Sequence, residues 1–195
     1  MEMEKELKRT ADYEQKVKDA FSESKCFSDD RLLDNKLSDK LNHRYYGNFL
    51  LIGEDTAAIN ELVLRYLKEK NVNIVTVTPN GYEIQKEIKR ACVGSLADDY
   101  IFPGEEMTDK LKKENTVLFL PDLDKMSDSI YRRFLLDMIN SHIVSDPRMG
   151  KNGYTRLHYS FFAIATVGKM DGRDFFKLIN SDAKNCFSIY NLDEE

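Results

Sequence analysis

Residues 48–60 read NFLLIGEDTAAIN, an apolar run, a glycine and then a helical pattern. Residues 48–52 are a short apolar run stopped by Gly53, which is the length and content of a buried strand. From Thr56 onward Ala57, Ala58, Ile59, Leu62, Val63, Tyr66 and Leu67 recur at helical spacing, predicting a helix to residue 70. The same alternation continues downstream. Residues 73–78 (NIVTVT) are β-branched and closed by Pro79-Asn80-Gly81, a turn signal. A helix is predicted over 82–92, a fully apolar strand over 116–120 (TVLFL), and an amphipathic helix over 127–142 with Ile130, Phe134, Leu135, Met138 and Ile139 inward. A buried strand over 160–166 (SFFAIAT), a short helix over 173–179 and a last strand over 186–190 (CFSIY) complete the series.

Unbroken apolar strands separated by helices predict an α/β fold, a three-layer parallel sheet with helices on both faces. In such sheets ligands sit beyond the carboxyl ends of the strands. The residues that matter for function are then Gly53-Glu54-Asp55-Thr56, Pro79-Asn80-Gly81, Pro121-Asp122-Leu123-Asp124 and Thr166-Val167-Gly168.

The whole chain has 195 residues, with 29 Lys and Arg against 34 Asp and Glu, so its formal net charge is −5. That balance disfavours a dedicated nucleic-acid coat, although a local basic patch would still touch phosphates. Three scattered cysteines (Cys26, Cys92, Cys186) and three histidines (His43, His142, His158) form no CxxC or Cys/His cluster, which disfavours a disulfide framework and a zinc site. No apolar run spans a bilayer and the N-terminus is too polar for a signal peptide, so the expected address is the cytoplasm, away from membranes. Residues 1–45 hold 10 basic and 11 acidic residues, about half of all positions there, and read as a solvated helical arm and connector rather than core. The arm's helix, over 3–22, has an imperfect apolar stripe of Leu7, Tyr13, Val17, Ala20 and Phe21, and a short helix is expected around 31–41. The stripe suits light packing on the body or a docking arm for a partner. Residues 46–195 form the α/β core.

That core resembles the nucleotide-binding domain of AAA+ ATPases, the replication-initiator and helicase- or clamp-loader branches most of all. Three segments carry the resemblance: NFLLIGEDTAAIN in the Walker A place, TVLFLPDLDKM in the Walker B place and FFAIAT in the sensor-1 place. Gly53 and Asp122 are 69 residues apart and Asp122 and Thr166 are 44 apart, which suits that layout. The chemistry departs from it. A P-loop uses glycine-rich backbone to wrap phosphates, a Lys to reach them and Ser or Thr to hold Mg²⁺. Here Ile59 stands at the lysine position and Asn60 at the Ser/Thr position, after Glu54, Asp55, Thr56, Ala57 and Ala58. Pro121 replaces the metal-binding Asp, Asp122 the catalytic Glu, and Val167-Gly168 the polar sensor. Asp124 and Lys125 fall where the motif carries no chemistry. No arginine finger stands at 182–184, and no lid follows within the sequence. Carboxylates replace a cation beside the phosphate position, so the electrostatic sign is reversed.

The resemblance thus implies a catalytically inactive pseudo-ATPase, without cofactor, that acts by binding a partner protein, a true ATPase of a replication-type assembly for example. On the structural alternative, Asp55 or Thr56 caps the helix, with Glu54 and Asp55 against its positive end. Residues 49–88 also look like the opening of a response-regulator receiver domain. In that reading Glu54, Asp55 and Asp122 are Mg²⁺ ligands of a phosphoryl-handling protein, with ATP or Mg²⁺ as cofactor. Asn191 standing in the lysine position, together with the lengths of the 79–111 stretch and the 143–159 loop, weighs against it. A third reading places a nucleic-acid or partner contact on loop 143–159, through Arg148, Lys151, Arg156 and His158 with Arg132 and Arg133. The connection 94–115, with its apolar Ile101-Phe102-Pro103-Gly104, is left as a partner loop or an extra strand of the sheet.

Overall fold

The computed structural model describes residues 2–24, 27, 47–78, 96–97, 100–101, 110–111, 113, 115–126, 135–136, 139, 143–145, 154–156, 161–170, 174 and 187–194. The chain opens with helix α1 (Glu2–Glu23), then β1 (Phe49–Ile52), helix α2 (Thr56–Glu69) and β2 (Asn73–Thr76). Next come β3 (Leu96–Ala97), β4 (Tyr100–Ile101), β5 (Thr116–Leu120) and a 3₁₀ turn (Leu123–Lys125). Strands β6 (Ile143–Ser145), β7 (Tyr154–Arg156), β8 (Phe162–Val167) and β9 (Ser188–Asn191) follow.

Five strands form one sheet in the order β2-β5-β8-β1-β9, with all neighbours parallel. Side chains alternate between its faces. Phe49, Leu51, Val117, Phe119, Phe162 and Ile164 face α1 and α2, while Leu50, Leu118, Leu120, Ala163, Ala165 and Val167 face Leu111, Leu135, Leu136 and Ile139. The central strands β1, β5 and β8 are therefore buried on both sides, which is why they read as unbroken apolar runs. The α/β expectation holds.

Counted along the chain, the sheet order is 2-3-4-1-5. The flavodoxin-like order that receiver domains use is 2-1-3-4-5. The first strand here pairs with the fourth and fifth rather than the second, so the sheet does not have the receiver's strand order.

Three expectations need correction. The N-terminal helix is not a solvated arm: Tyr13, Val17, Ala20 and Phe21 are at most 3% exposed and belong to the core with α2. On its outer side Glu14 bridges Arg65 at 3.1 Å and Lys18 at 2.9 Å. The segment read as loop 143–159 contains an antiparallel hairpin, β6 with β7, in which Ile143 pairs with Arg156. Within the connection 94–115, strands β3 and β4 form a separate two-stranded pair rather than an extra strand of the main sheet. The helices expected at 31–41 and 82–92 lie outside the described residues. Of those expected at 127–142 and 173–179, residues 135, 136, 139 and 174 are described and helical.

Candidate functional site

The carboxyl ends of β1, β5, β8 and β9 meet at one edge of the sheet. Strand β1 runs into Gly53, whose N–H continues the ladder to the Val167 carbonyl at 3.2 Å. A Cβ on Gly53 would stand 2.5 Å from Ile59 Cδ1 and 3.4 Å from the Tyr13 hydroxyl oxygen, so a side chain here would force the end of Ile59 to shift. Only Glu54 and Asp55 separate Gly53 from the first turn of α2. Asp55 is the N-cap: its Oδ1 accepts the Ala58 N–H at 3.0 Å, and its carbonyl accepts the Ile59 N–H at 3.1 Å. A carboxylate there also suits the positive end of the helix.

Backbone donors of the kind a P-loop turns toward phosphate are here taken internally at Glu54, Ala58 and Ile59. The Glu54 N–H donates to Asp193 Oδ2 at 2.9 Å, and the other oxygen of Asp193 accepts the Tyr13 hydroxyl. Lys16 completes this closure by donating to the carbonyls of Leu192 (2.9 Å) and Glu194 (2.8 Å). Ile59, at the lysine position, is fully buried against the core.

Beyond β5 and β8 lies a second network. Asp122 adopts a left-handed backbone (φ 51°, ψ 47°), a conformation that Asp tolerates better than most side chains. Its N–H donates to Thr166 Oγ1 at 2.9 Å, and that hydroxyl donates to Asn60 Oδ1 at 2.6 Å. Asn60 Nδ2 donates to Asp122 Oδ2 at 3.1 Å, closing a ring of three residues. Lys125 Nζ donates to Asp122 Oδ1 at 2.7 Å and reaches Thr56 Oγ1 at 3.4 Å. Burial opposes the charge on Asp122 and is the largest single influence. Hydrogen bonds from Lys125, Thr56 and Asn60, with the ammonium charge, outweigh it and hold the carboxyl below its ordinary value. The Asp122 hydrogen bond in turn raises Lys125 above its ordinary value. An ionised carboxylate locked to a protonated amine is a strut, poorly suited to act as a base. Gly168 belongs to the same corner, since a Cβ there would stand 3.2 Å from Asp124 Oδ2.

The structure therefore brings Thr56, Asn60, Asp122 and Thr166 together, and sets Gly53 and Ile59 against each other beside them. Pro121 is buried at the end of β5. Glu54, Asp55 and Asp122 do not converge on a cation: Glu54 pairs with Lys169 at 3.1 Å, Asp55 caps α2 and Asp122 pairs with Lys125. Among the described residues no three His, Cys, Asp or Glu side chains are grouped to hold a metal ion. Arg132, Arg133, Arg148, Lys151 and His158 lie outside the described residues, and Arg156 is placed only as a backbone partner of Ile143.

Sequence reasoning missed Asp193, Lys125 and the polar end of Tyr13. Asp193 had a signal, because it follows the last strand at the same sheet edge. Lys125 stands three residues after Asp122, a spacing that places it within reach.

The chain matches no protein-family model and no curated protein. Among solved structures it is similar to the crystal structure of NtrX from Brucella abortus, at 10% identity and a TM-score of 0.51, over 83% of this chain and 36% of that one. The chain thus spans about a third of NtrX, and the likeness is one of fold. Among the described residues no helix is long and apolar enough to cross a membrane.

Proposed function

We propose that this chain is an AAA+-like module that has given up nucleotide chemistry and works by docking on a partner protein, an active ATPase subunit being the kind of partner its fold suits. One observation carries the reading. Two amide donors at the β1–α2 turn, those of Ala58 and Glu54, are capped by the chain's own carboxylates, Asp55 and Asp193, while Ile59 stands in the place of the phosphate-binding lysine. A polyphosphate approaching this turn meets amides already bonded to carboxylates, and the nearby ammonium groups of Lys125 and Lys169 are paired with Asp122 and Glu54. The position of β8 between β1 and β5 is in keeping with it, because Thr166 then links the β1–α2 unit to the end of β5.

Two measurements test the proposal. Thermal-shift titration with ATP, ADP and Mg²⁺ is expected to leave the melting temperature unchanged, since only a ligand of the native state raises it. A rise that follows ligand concentration overturns the inactive-site reading. Affinity capture from the native source is expected to return one protein at constant stoichiometry. Recovery of the chain alone, across salt and concentration, overturns the docking reading.

The β6–β7 hairpin favours a second reading, in which the ribbon and the basic residues of 143–159 contact nucleic acid. Binding of that kind weakens steeply with salt. Salt-insensitive binding, or none, removes it.

A further inference from the structure

We draw no further inference here: the strongest candidate, the groove of about 200 Å³ between α1 and α2 floored by Val17, Leu62 and Tyr66 and spanned by the Glu14–Arg65 ion pair, carries none because nothing in the structure shows what covers it.

Discussion

The carboxylate of Asp193 accepts the backbone N–H of Glu54 at 2.9 Å, joining the segment beyond the last strand to the turn after the first. Tyr13 donates to the other oxygen of the same carboxylate, so the two ends of the chain and the candidate site share one acceptor. Asp193→Ala leaves both donors without it and is expected to cost about 1–3 kcal/mol. For a chain of this size that lowers the Tm by roughly 2–4 °C per kcal/mol. Because Tyr13→Phe removes one of the same bonds, the double variant is expected to lose less than the sum of the singles. Strict additivity in denaturant melts would show that Tyr13 and Asp193 act separately.

Gly53→Ala tests the packing of the β1–α2 turn. The added Cβ meets Ile59 Cδ1 at 2.5 Å inside a full core, an overpacking expected to cost about 1–3 kcal/mol. Ile59→Val alone costs roughly 0.5–1.5 kcal/mol by leaving a small gap. Combined, the two changes are expected to be milder than Gly53→Ala alone, because the methyl that clashes has gone. A double variant less stable than either single would place the strain elsewhere.

Thr166→Val keeps the side-chain shape of a fully buried residue and deletes the hydroxyl between Asn60 and Asp122. The Asp122 N–H and the Asn60 carbonyl then lose their partner, at an expected cost of about 1–3 kcal/mol. Thr166→Ser keeps the hydroxyl and is expected to retain more of the stability. A Thr166→Val variant as stable as the parent in chemical denaturation would mean that the hydroxyl does not matter.

The Asp122–Lys125 pair predicts a pH window. The Asp122 carboxyl is lowered in the folded state, so its contribution is complete above the unfolded value of about 4 and fades as pH falls through the folded one. Lys125 is raised, so its share is complete below the unfolded value of about 10.4 and fades only as pH climbs past the folded one. The stability difference between the parent and Asp122→Asn is therefore expected to be flat from about pH 5 to about pH 9 and to shrink in acid. A difference that persists undiminished in strong acid would assign the effect to geometry rather than charge.

Phe21→Ala tests whether α1 belongs to the folded unit. Its ring stacks on Tyr66 at 4.2 Å and meets Phe49 edge-on at 4.9 Å, at 3% exposure. Truncation is expected to cost about 3–5 kcal/mol. An unchanged unfolding midpoint would return α1 to the status of a loosely attached arm.

Much of the fold was legible along the chain. Phe49–Ile52, Thr116–Leu120 and Phe162–Val167 are buried on both faces, so every residue had to be apolar or small and the runs were unmistakable. The edge strands are only half-buried, and their pattern is correspondingly looser. The Asp55 cap was legible too, because it reaches only three residues along the chain. Helix α1 misled for a physical reason: charged residues dominate the composition of residues 1–45, while only four described residues of the helix enter the core. The candidate site was legible as positions but not as partners. Asn60, Asp122 and Thr166 could be named from their places after strands, but nothing local says that one hydroxyl joins them.

The α/β layering, the strand ends where a site would lie, and the lack of P-loop glycines and lysine at residues 53–60 were all readable along the chain. Those follow from period, length and residue type, which are local. The strand order that separates this sheet from a receiver's came from the folded chain. The folded chain also decided that Asp193, 139 residues from Glu54, supplies the acceptor at the β1–α2 turn. Contacts across such distances in sequence depend on how strands are ordered in the sheet, and no periodicity along the chain encodes that order.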